Sequence, residues 1–234
     1  MSPQPLSRLV PSLPDLVIAP GLLEVANPAL VGLVMRVIAT WSYVDLAVTD
    51  LVSVFLRTDF QVVNEMFLAL TGSAQRRAVM EAAASSLPED DSRLYERVMK
   101  RVRVTEQHRN DFAHSIWAFS PSLPDALLLI EPKALSRHRA AYRVNIRELR
   151  EWVRWMSTHH PNDVDWTTAP AAPEVTPPTA ALDHSLIMVY RQNDLQRELA
   201  DVHRAELLVQ TLTDALALAD SEARSSVELL LGDA

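Results

Sequence analysis

The spacing of apolar and polar residues predicts a mainly α-helical chain. Apolar residues recur at helical spacing through most of residues 27–114. Each apolar segment starts beside residues that cap helices or favour their first turn, as in Asn27-Pro28 and Thr58-Asp59. We therefore expect helices from Asn27 to Leu56, from Phe60 to Leu70, from Ser73 to Ser85, and from Pro88 into residues 109–114.

After residue 114 the pattern changes to short apolar runs separated by turn residues. Trp117–Phe119 and Leu127–Ile130 lie on either side of a Pro-rich turn, which predicts a small β-hairpin. Tyr142–Val144 is a candidate third strand. Asn145, with Glu148 three residues later, predicts a capping box and a new helix. Its apolar stripe consists of Ile146, Leu149, Trp152, Val153 and Met156.

Proline marks two segments that do not fit regular structure. Five prolines lie in residues 1–26 and five more in residues 161–178, which predicts an N-terminal arm (1–26) and a stiff linker (161–182). A helical domain (27–160) separates them, and a helical C-terminal extension (183–234) follows. Its main helix is expected from His184 to Ala219. A narrow apolar seam on that helix suits packing against another subunit or back on the domain.

Composition narrows the chemistry. The chain has no cysteine, which excludes a disulfide framework, a thiolate zinc site and a cysteine nucleophile. No histidine set has metal-binding spacing, so we expect neither a metal nor another cofactor. The apolar run from residue 29 to 55 is long enough for a membrane span, but Arg36, Asp45 and Asp50 interrupt it. With no clear secretory signal, the chain is predicted to be cytoplasmic and free of membrane contact.

Charge is unevenly distributed along the chain. The formal net charge is −8, yet residues 91–154 contain 13 basic and 8 acidic residues, and the remainder contains 9 basic and 22 acidic ones. A basic middle in an acidic protein is either a surface for a polyanion or an ordinary solvated helix face. The sequence leaves both interpretations open.

One charge on the fourth predicted helix is unusual. At about 100° per residue, Arg109 lies on the same stripe as the apolar residues Leu94 and Val98. An unpaired charge on a buried face is expensive, so we expect Asp45 of the first helix to be its structural partner. His114 lies about 140° round the helix from Arg109. The two side chains can act on one target only if the helix is distorted or a second copy completes the site.

An arginine and a histidine at short range suit work on a phosphodiester, because the cation stabilises phosphate oxygens and the imidazole moves a proton. The pattern Arg109-Asn110-x-x-x-His114 resembles the R-N-x-x-x-H motif of the HEPN superfamily. The resemblance implies a HEPN-like bundle of about four to five helices over residues 27–160, with the β-hairpin as an insertion and a long C-terminal helix. It also implies a homodimer in which both motifs line one groove.

The same resemblance implies a metal-independent endoribonuclease with a toxin or defence role. His114 would move protons at the 2′-hydroxyl or the leaving oxygen of RNA. Arg109 would stabilise charge on the scissile phosphate, and Asn110 would orient the site.

The basic residues next to the motif also acquire a role by this resemblance. Arg101, Arg103 and His108 are predicted to bind RNA. The alternative is a non-catalytic HEPN-like dimer that binds a protein partner through its C-terminal helix, with Arg109 paired to Asp45.

Overall fold

The computed structural model describes residues 3–10, 15–18, 20–158, 171, 173, 182–219 and 221–232. The chain forms two compact units, and each is built from two separate stretches of sequence. Residues 1–31 and 114–192 form the first, called here the sheet unit. Residues 32–113 and 193–234 form the second, called the helical unit.

The sheet unit contains a four-stranded antiparallel sheet with the strand order β1-β4-β3-β2. β2 (Ile116–Ala118) and β3 (Ala126–Ile130) form the hairpin that the sequence predicts. β4 (Ile187–Arg191) pairs with the other edge of β3, and β1 (Gln4–Pro5) pairs with β4. Every residue of β3 is buried, as expected for an apolar strand in the middle of a sheet.

The core of the sheet unit contains residues from near the start of its first stretch and near the end of its second. Leu6, directly after β1, is fully buried together with Ile130 and Ile187. α1 (Pro20–Ala26) lies against β2. α6 (Pro132–Thr158) packs the side chains of its first turn, Ala134 and Leu135, into the same core. Part of the predicted N-terminal arm is therefore a structural component of this unit.

The helical unit is a bundle whose helices follow the predicted apolar segments. α2 (Pro28–Leu56), α3 (Phe60–Ala69), α4 (Ser73–Ala84) and α5 (Glu89–His114) come first. Asp59 caps α3 by accepting a hydrogen bond from the backbone N–H of Gln61 at 2.7 Å. Three acidic residues occupy the first turn of α5, where the helix dipole favours negative charge.

The C-terminal helices complete this bundle. The apolar seam of α7 (Gln192–Ala217) is buried within the unit, so it packs back on the chain, one of the two alternatives that its pattern allowed. α8 (Ser221–Gly232) is joined to α5 by ion pairs of 2.6 Å, from Arg97 to Glu228 and from Arg224 to Asp91. A protein partner of α7 would have to use positions that remain exposed, such as Leu207.

α2 is only partly covered. Its length and composition meet the requirements of a membrane span, which core helices of water-soluble proteins also meet. Only 28% of its most apolar stretch is buried, so it is not a wholly enclosed core helix. Met35, Tyr43 and Leu46 are exposed on one side of α2, and that side has no cover among the described residues of the helical unit.

Two predicted elements are wrong. Residues 142–144 are not a strand, and Asn145 does not begin a helix, because α6 is continuous from Pro132. Proline suits a first helical position, and the backbone N–H of Ala134 already bonds to the carbonyl of Glu131 at 3.0 Å. The Arg- and Ala-rich sequence that follows favours continuation of this helix over a new start.

The C-terminal helix also differs from the prediction at both ends. Residues 187–191 form β4, because their apolar, β-branched and aromatic side chains suit a strand. The helix starts at Gln192 and ends at Ala217, and α8, which the sequence did not predict, follows it. The predicted linker (161–182) lies outside the described residues except for 171, 173 and 182.

The coarse fold class is confirmed: the described chain is mainly helical with a small antiparallel sheet. The division into an arm, a helical domain, a linker and an extension remains a prediction. Residues from the predicted arm and from the predicted extension both contribute strands to the sheet unit.

Candidate functional site

The Arg-Asn-x-x-x-His motif lies at the C-terminal end of α5. This helix runs without interruption from Glu89 to His114, so the motif is helical throughout. In regular helix geometry Arg109 and His114 stay about 140° apart. The distortion that could have brought both side chains to one target within a single chain is therefore absent from this part of the structure.

Arg109 is half-buried and incompletely satisfied. Its Nη1 donates a hydrogen bond to Oδ1 of Asn110 at 2.9 Å. Its Nε is buried and has no acceptor among the described residues. Leaving a charged donor without an acceptor costs about 1–3 kcal/mol or more. Asn110 thus positions one arm of the guanidinium, and the buried Nε could meet an acceptor from outside the chain only if neighbouring side chains moved.

Asp45, the predicted partner, lies on α2 close enough for its charge to interact with Arg109. Burial raises the pKa of Asp45, while Arg109, the hydrogen bond from Trp41 and the charge of Arg76 act to lower it. Trp41 Nε1 donates to Asp45 Oδ1 at 3.0 Å. Among the described residues no ion pair within 4.0 Å joins Asp45 to Arg109. The charges of Arg109 and Asp45 interact, but the described hydrogen bond to this carboxylate comes from Trp41, so the pairing of Arg109 with Asp45 remains a prediction.

Asp45 also lines a cleft in the helical unit that the sequence did not indicate. The cleft has a volume of about 590 Å³, within the usual range of ligand sites. Its charged lining residues are Asp45, Arg76, Arg77, Arg103 and Glu106, and its lining also includes the apolar side chains of Phe67, Met80 and Val102. Asp45 as a whole residue is exposed, yet the surrounding protein desolvates its carboxylate, which accounts for the raised pKa.

Most of the basic groups at this cleft already have partners. Arg77 lies 3.8 Å from Glu106, and Arg76 Nε donates to the carbonyl of Phe67 at 3.1 Å. Residues of α2, α3, α4 and α5 line this cleft. How these helices pack together is not visible in a single sequence, so the cleft could not be predicted.

His114 is the last residue of α5, and its side chain is exposed. A histidine in the last turn suits the helix dipole. An exposed imidazole can also reach a substrate without rearrangement of the chain. The structure therefore gives Arg109 and His114 different surroundings, one half-buried and one open.

The three predicted RNA-binding residues are not equally available. Arg103 Nη2 donates to Glu81 Oε1 at 3.1 Å, and His108 Nδ1 lies 2.9 Å from Oε2 of Glu198. Arg101 is half-buried. Since two of the three cationic groups face a carboxylate of the same unit, this side of α5 offers less free positive charge than the sequence suggests.

Glu198 is a functional candidate that the sequence did not reveal. Its side chain is 9% exposed and its partner His108 is 47% exposed. The hydrogen bond to Glu198 raises the pKa of His108, and burial acts in the opposite direction. Because 90 residues separate the two positions, only the packing of α7 on α5 brings them together.

No group of three or more His, Asp or Glu side chains in the described part of the chain is arranged to hold a metal ion. Comparison with known proteins gave no matching family model, no similar curated protein and no similar solved structure.

Proposed function

We propose that this chain is a metal-independent endoribonuclease of HEPN type that acts as a homodimer. The observation that carries the proposal is the state of the motif: Arg109 is only partly buried and is held by Asn110, and His114 is exposed on the same helix. A phosphodiester would place its charge against the accessible part of the Arg109 guanidinium. His114 supplies the proton transfer that cleavage requires.

The reaction needs no group beyond these side chains and RNA itself. The 2′-oxygen attacks the adjacent phosphorus as His114, or its copy, takes the 2′-proton. The bond from phosphorus to the 5′-oxygen breaks, and the leaving oxygen takes a proton from the His114 imidazolium of the other copy, so that the two histidines together supply one base and one acid. The products are a 2′,3′-cyclic phosphate and a 5′-hydroxyl. Arg109 stabilises the negative charge that develops on the phosphate oxygens.

Arg109 and His114 of one chain lie too far apart around the helix to act on the same phosphate. In a homodimer, Arg109 of one copy could act together with His114 of the other. The exposed side of α2 suits such pairing. Its centre is apolar, with Met35, Tyr43 and Leu46 exposed, and it carries Arg36 at one end and Asp50 at the other. In an antiparallel pair about a two-fold axis near Tyr43, each Arg36 would face the other copy's Asp50.

RNA cleavage tests the proposal. Wild type, Arg109→Ala and His114→Ala are incubated with single-stranded RNA in EDTA, and the products are analysed for 2′,3′-cyclic phosphate. We expect each substitution to slow cleavage by about 10²–10⁴-fold. His203→Ala, which removes an exposed histidine from α7, is the matched control and should cleave like wild type. Equal cleavage by all four proteins, or by none, would reject a catalytic role for the motif.

The second candidate is a non-catalytic dimer, and the electrostatic coupling of Arg109 to Asp45 favours it. In that case Arg109 stabilises the bundle. Arg109→Ala would then lower the free energy of unfolding while His114→Ala changed nothing, and neither protein would differ from wild type towards RNA.

A further inference from the structure

α6, in the sheet unit, carries a row of exposed basic residues. α6 contains seven basic residues and two acidic ones, Glu148 and Glu151. All seven basic side chains are exposed. They are Lys133, Arg137, Arg139, Arg143, Arg147, Arg150 and Arg154.

Five of these residues form a single stripe. At about 100° per residue, the five arginines from residue 139 onwards fall within an arc of about 80°. They extend over about 22 Å of helix at a rise of about 1.5 Å per residue. The two acidic residues lie outside this arc, and so do Lys133 and Arg137. We call Arg139, Arg143, Arg147, Arg150 and Arg154 the arginine stripe.

The arginine stripe differs from the basic face of α5 in one respect. On α5, Arg93, Arg97 and Arg103 each form an ion pair with a carboxylate of the same unit. Within the described chain none of the five stripe residues has an ion-pair partner within 4.0 Å. Among the described residues the stripe is thus a line of charge without an ion-pair partner, although the net charge of the protein is −8.

A recess adjoins the N-terminal part of the stripe. Its volume is about 370 Å³, and its lining includes Arg139 and Arg143 together with the apolar side chains of Ile116 and Leu135. Two guanidinium groups beside apolar walls match the two parts of a nucleotide, a phosphate and a flat base or sugar. A purely acidic peptide such as polyglutamate would use the charges and leave the apolar walls without a partner.

From these observations we propose that the arginine stripe binds the phosphate backbone of single-stranded RNA. Arginine forms bidentate hydrogen bonds with phosphate, and a linear row of them suits a linear polyanion. An anionic membrane fits less well, because an interfacial helix must insert its apolar side. In α6 that side starts with Ala134 and Leu135, which are already buried in the core of the sheet unit. Farther along the same side, Trp152 and Met156 are half-buried and Val153 is exposed, so an anionic vesicle is included in the test below. The inference rests on the proposed function only in the choice of RNA.

Binding of a 2′-O-methyl oligouridine by the full chain tests this inference. That probe lacks the nucleophile for cleavage, so a failure of the nuclease proposal does not affect the outcome. Five phosphate contacts predict a slope of about −3.5 in a plot of log K against log salt concentration. Arg147→Gln/Arg150→Gln should reduce the slope to about −2.1 and weaken binding about tenfold at low salt.

Two further variants separate a specific stripe from net charge and from misfolding. Lys133→Gln/Arg137→Gln removes the same charge from the same helix outside the stripe, and it should bind like wild type. Arg147→Lys/Arg150→Lys keeps the charge and should retain the salt slope. Equal weakening by the stripe and off-stripe variants would overturn the proposal. So would tighter binding to a polyglutamate peptide or to phosphatidylserine vesicles than to the oligonucleotide.

Discussion

At the scale of single residues, two charged groups in this chain lie in surroundings that disfavour their charge. Arg109 has a buried donor without an acceptor in the described structure, and Asp45 holds a carboxylate whose pKa is raised by burial. Each is unfavourable alone, and each partly offsets the other through their mutual attraction. Strained electrostatics of this kind concentrate at functional sites, which is why the motif remains the first place to test.

The pair of His108 and Glu198 predicts a pH dependence of stability. The hydrogen bond to Glu198 raises the pKa of His108 in the folded chain, and Asp111 and Asp201 act in the same direction. The stabilisation is therefore fully present below the unfolded pKa of about 6.5. It is lost as the pH rises through the higher folded-state pKa. Urea unfolding of wild type from pH 5.5 to 8.5 should show this decline.

The decline should be smaller in His108→Gln. The difference should be below about 1 kcal/mol, because nearly half of the His108 side chain is exposed and solvent screens the pair. His203→Gln, at an exposed position on α7, is the control and should keep the wild-type profile. Identical pH profiles for wild type and His108→Gln would contradict the role of this pair.

Gly32 predicts a simple gain in stability. It lies inside α2, and a Cβ built there meets no atom within 4 Å. Alanine lowers the backbone entropy of the unfolded chain, so Gly32→Ala should raise the free energy of unfolding by about 0.5–1 kcal/mol. Chemical denaturation at low protein concentration measures it. Ala39→Gly, at an exposed position of the same helix, should lower stability by a similar amount; a loss at Gly32 instead would show a close contact there.

At the scale of elements, capping residues and apolar spacing predict most of the helices. The strand β4 depends instead on pairing with a distant part of the chain. The caps and acidic first turns before α3 and α5 are local, so the sequence located both helices. The local pattern predicts a helix over the residues of β4, because a strand of five residues directly before a helix has no distinctive pattern of its own. Its pairing with β3, from Leu128 to Val189, is what makes it a strand.

In the candidate site, too, some features follow from local spacing and others depend on contacts between distant residues. The helical projection placed Arg109 on the apolar side of α5, and the structure confirms that this residue is half-buried. The partners of Arg103 and His108 lie on α4 and α7, and no spacing rule identifies them. The arginine stripe was hidden for a different reason: the predicted strand at residues 142–144 divided α6 in two, so the five arginines could not be aligned on one face.

At the scale of the whole molecule, dimerisation is the property that the proposed function requires. Leu46→Glu places a charge at the centre of the exposed side of α2, so a dimer formed through this side should dissociate to monomers. Light scattering after size-exclusion chromatography measures the mass. Leu229→Glu, which alters a leucine on α8 that is more exposed than Leu46, is the control and should stay dimeric. A dimer that survives Leu46→Glu would place the interface elsewhere.

A charge exchange tests the antiparallel arrangement itself. Arg36→Asp and Asp50→Arg should each weaken the dimer, because each brings like charges together at both ends of an antiparallel pair. The double variant restores opposite charges and should recover the dimer. Failure of the double variant to recover would reject the pairing about Tyr43, even if α2 still forms the interface.

The interleaving of the two units has a consequence for synthesis. β3 ends at Ile130 and its partner β4 begins at Ile187. At about 5–20 residues per second, the ribosome needs roughly 3–12 s to deliver that partner. Until then the Leu127-Leu128-Leu129 edge has no cover on that side, and such an edge is prone to aggregate. The helical unit waits longer still, for α7 and α8. During synthesis the sheet unit therefore passes through a stage in which an apolar strand edge is exposed, and the finished sheet covers that edge.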